Sequence, residues 1–194
     1  MVVFAVGGDF TAPWSHTGVW TEEEYLKLPS DGPKVELVGG SLLVSPAPGK
    51  PHQRIVRRLA TLMESAGLPD LVTETEINVR IAEDVILIPD IVVTSETDDK
   101  VIVHDAAHVR MVVEVRSPSN QGQKWIKKYA LYAQAGIPWF MVVEMDDERH
   151  LTMILQRLEG GTYLEAARAR CGEKLKLPDP FPGIDPADLL RPLL

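Results

Sequence analysis

Three short apolar runs, at residues 85–94, 109–115 and 139–145, constrain more than anything else how this chain can fold. Each falls well short of the roughly 20 residues that cross a bilayer, and none shows the alternation of a strand with one face in water. Runs of this kind are strands covered on both faces. Between the second and third, residues 120–135 form a helical segment closed by Gly136. Strand, helix, strand in that order implies a right-handed crossover between parallel neighbours. The expected class is therefore α/β (α+β). A length of 194 residues and a hydrophobic content of 45% suit a single core.

The flanking segments follow simpler rules. Thr21 and Glu24 have capping-box spacing and open a helix over 22–28 that Pro29 stops. Gly39-Gly40, between residues 35–38 and 41–44, predicts a tight hairpin. Ile55, Val56, Leu59, Leu62, Met63 and Ala66 recur at helical spacing from near His52, and Gly67 ends the run. Residues 71–81 alternate with period two, which predicts one half-buried strand, and Glu83-Asp84 turns the chain into the first apolar run. Residues 95–108 read as a polar loop. A last hairpin pairs 150–158 with 163–169 across Glu159-Gly160-Gly161. The expected organisation is a peripheral segment at 1–20, a body at 21–177 and a proline-rich tail at 178–194 packed on that body.

Two residues do not belong in their surroundings. Asp90 sits in VILIPDIVV and Glu114 in MVVEVRS, where a carboxylate without a partner costs several kcal/mol. Each therefore requires a cation, a metal ion or a proton. For Glu114 the simplest solution is an ion pair with Arg116, two residues on and on the same strand face. For Asp90, with no cation near in sequence, the simplest is a turn at a strand end. Pro89 marks an edge or a bulge, which re-aims a side chain. Two acidic side chains on adjacent strands, with the neighbouring main-chain carbonyl, also supply the hard oxygen ligands that Mg2+ or Mn2+ prefers. Such an ion activates water and stabilises charge during phosphodiester hydrolysis.

An ammonium group would complete that chemistry by orienting the nucleophile or neutralising the transition state. Lys124, Lys127 and Lys128 fall at i, i+3 and i+4 on the helix after Glu114, and Arg54, Arg57 and Arg58 repeat the spacing after His52. Each set suits a solvated face, and together the two could straddle a phosphate backbone. The net charge of −8 speaks against a general nucleic-acid coat, whose affinity comes from Lys and Arg. Cys171 is the only cysteine, so neither an intrachain disulfide nor a thiolate zinc cage is available. His104 and His108 have the spacing of a helical metal pair, but in a polar, unpatterned setting. Ser117-Pro118-Ser119-Asn120 reads as a helix cap rather than a nucleophile elbow.

Four segments, ELVGGSLLVSPAPGKPHQRIV, IPDIVV, VVEVRSPS and KKYALYAQAGIPWFMVVE, occur in an order and spacing that resemble the Uma-two family of restriction-endonuclease-like proteins, a branch of the PD-(D/E)XK nuclease superfamily. The resemblance covers roughly residues 20–170. It implies a restriction-endonuclease-like mixed central β-sheet flanked by helices, with Asp90 and Glu114 as metal ligands. It also implies that the superfamily lysine has left the position two residues after the glutamate, where this chain has Arg116, for the following helix, where it corresponds to Lys128. Glu36 and His52 match characteristic family positions, with Gln53 of similar standing. The resemblance leaves Glu36 as a third acidic ligand or the holder of a metal-bound water, and His52 as a phosphate contact or a helix cap. There is one departure. Four residues before the helix lysine, where the family usually carries an aspartate, this chain has Lys124, a like charge that could lower the pKa of Lys128 or swing it out of place. Glu144 matches the acidic residue that closes the family's last core strand.

The expected function is that of a metal-dependent endonuclease hydrolysing DNA phosphodiester bonds. Asp90, Glu114, Lys128 and Glu36 are its expected catalytic residues, and Asp90 and Glu114 hold Mg2+ or Mn2+. His52, Gln53, Arg54, Arg57, Arg58, Lys124, Lys127 and Arg116 are expected to face the substrate. The alternative is a catalytically impaired nuclease fold used for nucleic-acid binding or protein assembly, which Lys124 favours. The expected partner is nucleic acid, DNA first, and a two-fold homodimer suits double-strand cutting. The N-terminal MVVFAVGGDF has no basic region ahead of its apolar run, so a cytoplasmic protein without membrane contact is expected.

Overall fold

The computed structural model describes residues 16–29, 32–66, 70–116, 123–147 and 150–190, with backbone alone at 123–127 and 147. Gly67 and the segment 117–120, read above as a helix stop and a helix cap, lie outside the described residues. The chain opens with α1 (Glu22–Tyr25), where the Thr21 hydroxyl accepts from the Glu24 amide and the Glu24 carboxylate accepts from the Thr21 amide. This is the expected capping box, on a helix that stops three residues early. β1 (Val35–Val38) and β2 (Ser41–Val44) form the expected hairpin, with Gly39 and Gly40 at φ +56° and +71°. Only glycine takes two such left-handed angles in a row without strain. α2 (Lys50–Glu64) follows, with Pro51 in its first turn.

The central stretch departs from the expectation in an informative way. Residues 71–81 are two strands, β3 (Val72–Thr75) and β4 (Asn78–Ala82), and the run 85–94 is also two, β5 (Val85–Leu87) and β6 (Ile91–Thr94). Glu76 breaks the first with a left-handed φ of +54°. Pro89 breaks the second, because proline has no N–H to give to a ladder. At both breaks the chain changes sheets: β4 and β5 pair with each other in one sheet, while β3 and β6 pair in another. The residue pattern alone cannot reveal this, since it continues on both sides of each break.

Residues 95–108 are likewise not all loop. β7 (Val103–Asp105) pairs in parallel with β4, and a 3-10 turn over Ala106–His108 follows. His104 is therefore in a strand and His108 in the turn, so no α-helix carries them as an i, i+4 pair. Next come β8 (Val109–Arg116), α3 (Gln123–Gln134) and β9 (Trp139–Asp147), with β8 and β9 parallel neighbours as strand, helix, strand requires. β10 (His150–Glu159) and β11 (Thr162–Arg170) form the last hairpin.

The result is a six-stranded sheet in the order β11-β10-β9-β8-β6-β3 and a five-stranded sheet in the order β2-β1-β5-β4-β7. Both are mixed, and the α+β class stands as expected. The six-stranded sheet is the central layer. On one face, Ile91, Val93, Met111, Val113, Val115 and Met141 pack against Ile55, Leu59 and Met63 of α2 and against Leu175, Ile184 and Leu189 near the C-terminus. On the other, Val92, Val112, Phe140 and Val142 meet Tyr132 and Ala133 of α3 and Val79, Val85 and Leu87 of the smaller sheet. No helix among the described residues is long and apolar enough to cross a membrane.

Candidate active site

The two misfit carboxylates come together because of strand register. β8 alternates, sending Val113 and Val115 to the α2 face and Val112 to the α3 face, so Glu114 shares the α3 face with Val112. β6 runs antiparallel to β8 with Ile91 opposite Val113. One step back along that register brings Asp90 opposite Glu114. Glu36 enters from β1 of the smaller sheet and is fully buried. Three carboxylates thus converge where the two sheets meet, lining a cleft of about 400 Å³ to which the loop 45–49 also contributes.

Asp90 is saturated with donors. Its Oδ1 accepts from the Lys34 ammonium at 2.9 Å, and its Oδ2 accepts from the Val115 amide at 2.8 Å and meets His52 Nε2 at 3.1 Å. Burial pushes its carboxyl up, but the His52 hydrogen bond, the Lys34 charge and the Val115 amide prevail and hold it well below the usual carboxylate range. Among the described residues, Glu114 receives both of its contacts on Oε1, from Lys128 Nζ at 3.0 Å and from the Tyr132 hydroxyl at 2.7 Å. Lys128 is shared: its ammonium also lies 2.8 Å from Glu36 Oε1, which accepts from the Ile88 amide as well. Burial raises the Glu114 carboxyl, Lys128 opposes this, and the charges of Asp90 and Glu36 reinforce it, so Glu114 ends above the ordinary value.

Lys128 itself is held above the usual lysine value, since the carboxylates of Glu114 and Glu36 outweigh its burial. Lys34 is raised too, with Asp90 and Glu114 outweighing burial. The Tyr132 phenol is pushed far up by burial and by the neighbouring carboxylates, which keeps it a donor to Glu114.

Asp90, Glu114, Lys128, Glu36, His52 and Arg116, six of the residues singled out from the sequence, therefore line one cleft. The others do not. Arg116 is not the partner of Glu114: its guanidinium pairs with Glu144 at 2.9 Å, directly across the parallel strands β8 and β9. Arg58 does not belong to a phosphate-facing row, because it is buried and its Nη1 donates to the Leu189 carbonyl at 2.7 Å. Gln53, Arg54 and Arg57 are exposed on α2 and line no part of the cleft. The side chains of Lys124 and Lys127 lie outside the described residues. Lys34 and Tyr132 were missed, although both carry a signal. Lys34 stands two residues before Glu36, the spacing of one strand face, and Tyr132 one helical turn after Lys128.

Among the described residues, no three His, Cys, Asp or Glu side chains are grouped so as to cage a metal ion. The oxygens are instead taken up by the protein's own ammonium groups. The donor set nevertheless fits a hard dication. Three carboxylates share the ammoniums of Lys34 and Lys128, and Glu36 Oε2 is buried without a hydrogen-bond partner among the described residues. A buried acceptor without a donor is a cost that a cation relieves.

The chain matches the family model described as "Uma2: Putative restriction endonuclease" over residues 22–190. Its fold is similar to the crystal structure of "a putative nuclease belonging to DUF820" from Anabaena variabilis, at 19% identity and a TM-score of 0.68, covering 88% of this chain and 97% of that one. None of the curated proteins matches it.

Proposed function

The chain belongs to the Uma2 family of restriction-endonuclease type, and on that premise we propose that it is a metal-dependent endonuclease that hydrolyses DNA phosphodiester bonds. The observation that carries this reading is the meeting of Asp90, which leads into β6, with Glu114 of β8 in a cleft that also holds the Lys128 ammonium. Asp90 and Glu114 would hold Mg2+ or Mn2+, which supplies Lewis-acid charge at the phosphate and lowers the pKa of water.

The chain's own groups do the rest. Lys128 presents a permanent positive charge to the developing charge on phosphorus, at a place where a low local dielectric strengthens it. Glu36 holds that ammonium from the other side and keeps it aimed at the cleft. His52 and the Val115 amide fix the Asp90 carboxylate in the ionised state that a ligand needs, and Tyr132 sets the rotamer of Glu114. Arg54 and Arg57, exposed on α2, suit the DNA backbone beyond the cleft, with Gln53 beside them. Hydrolysis of both strands would call for two such sites about a two-fold axis.

The test is calorimetric titration of Mn2+ into the wild type, Asp90→Ala and Glu114→Ala, with supercoiled plasmid nicking measured on the same samples. The reading requires metal binding and nicking in the wild type and the loss of both in each variant. A second reading, a nuclease fold kept for DNA binding or assembly, is favoured by Lys124 and by the saturation of Asp90 with protein donors. It requires DNA binding indifferent to Asp90→Ala, with no nicking in either metal. Metal binding without nicking in the wild type would point to Lys124, and Lys124→Asp should then restore turnover.

A further inference from the structure

A metal ion and a lysine ammonium that compete for one carboxylate oxygen repel each other, so each weakens the other's hold on it. Asp90 holds such an ammonium: Lys34 Nζ lies 2.9 Å from Oδ1, while His52 and the Val115 amide share Oδ2. Lys34 is a cleft residue with only 16% of its side chain exposed, so its ammonium lies inside the site. We infer that Lys34 is the site's resident cation, which neutralises Asp90 while the site holds no metal and is exchanged for the divalent ion on loading. This rests on the reading of Asp90 and Glu114 as metal ligands.

Of the two ammonium groups in the cleft, Lys34 is the one built to leave. Lys128 is bound to two carboxylates, at 2.8 and 3.0 Å, and its departure would strand Glu36 in full burial. Lys34 is bound to one, and Asp90 keeps two donors on its other oxygen when Lys34 goes. Its backbone is fixed by the hydrogen bond from the Ser45 amide to the Lys34 carbonyl at 2.9 Å. The exchange is therefore a swing of a four-carbon side chain with no movement of the strand behind it. A lysine suits this task better than an arginine, since its flexible stem and single charged atom are not bound by a two-toothed geometry. Lys34 is on this account a positioning residue: it keeps Asp90 ionised, oriented and free of stray cations until a divalent ion displaces it.

The test compares Mn2+ affinity by calorimetry in the wild type, Lys34→Met and Lys34→Arg. Lys34→Met removes the competing charge and keeps the stem, and it should bind Mn2+ at least about tenfold more tightly, which is about 1.4 kcal/mol. Lys34→Arg should bind no more tightly than the wild type. A merely structural lysine would give the opposite sign, weaker binding in both variants. Should Lys34→Met fail to fold, the wild type answers alone: the Lys34 ammonium signal in 15N NMR should leave its ion-paired position on titration with Mg2+. Mn2+ binding to wild type and Lys34→Met with equal affinity, or an ammonium signal that stays in place at saturating Mg2+, overturns the exchange but leaves the metal site standing. No metal binding in any variant overturns the metal reading itself, and the exchange with it. Binding in Lys34→Met alone would mean that the wild-type lysine is never displaced, and it too overturns the exchange.

Discussion

The Asp90 and Glu114 halves of the cleft are equally dry, with 4% and 6% exposure, yet the protein drives their carboxyl groups in opposite directions. Asp90 has three donors to itself and is held ionised far into acid. Glu114 shares the Lys128 ammonium with Glu36 and faces two other carboxylates, so its proton is retained above the ordinary value. Burial sets the size of what is at stake, and the count of private donors sets the sign. One half is thereby a committed anion. The other is a carboxylate short of positive charge.

Substitutions that remove one group at a time break or sharpen this contrast. The largest effect belongs to Lys128→Met, which strands two buried carboxylates together and should cost about 3–5 kcal/mol in urea unfolding at pH 7. Asp90→Asn comes next, at about 1.5–3 kcal/mol, because it weakens hydrogen bonds made to a charged group. Since the folded Asp90 carboxyl is depressed, its contribution is fully present above the unfolded value of 3.8 and is lost as pH falls through the folded value. The gap between wild type and Asp90→Asn should therefore close in strong acid. Tyr132→Phe removes one donor from Glu114 and should cost about 1–2 kcal/mol.

Glu114→Gln should be the mildest, within about 1 kcal/mol of the wild type at pH 7, since the amide oxygen still accepts from Lys128 and Tyr132. Here the sign reverses. A raised carboxyl gives a contribution present below the unfolded value of 4.5 and lost as pH rises through the folded value. The wild type should lose stability over that interval relative to Glu114→Gln. Parallel stability-against-pH curves for the Asp90 and Glu114 variants would show that the two halves do not differ after all.

Much of this could be read from residues in order. Gly39-Gly40 specified the hairpin, Thr21 and Glu24 the cap, and the apolar runs around Asp90 and Glu114 marked both as buried charges in need of partners. What escaped was tertiary. Residues 71–81 keep their alternation through Glu76, so nothing in the pattern says that the strand ends there and resumes in another sheet. Arg116 finds its partner 28 residues away in β9, where chain proximity to Glu114 suggested otherwise. Arg58 shares i, i+3, i+4 spacing with Arg54 and Arg57, but its helical angle places it nearer Ile55 and Leu59, and the C-terminal Leu189 carbonyl claims it. Tyr132 joins the apolar core with its ring, while its hydroxyl serves Glu114 across 18 residues of chain.

The cleft lies on the seam between two sheets, and its ion pairs are the stitches. Lys128 joins Glu36 on β1 of one sheet to Glu114 on β8 of the other, and Lys34, just ahead of β1, reaches Asp90 at the head of β6. The chain itself crosses the seam at Glu76 and again at Pro89. Neither sheet can be lost while the other survives without uncovering the charges that hold both. On heating, the protein should behave as one cooperative unit, with a single calorimetric transition whose measured and van't Hoff enthalpies agree.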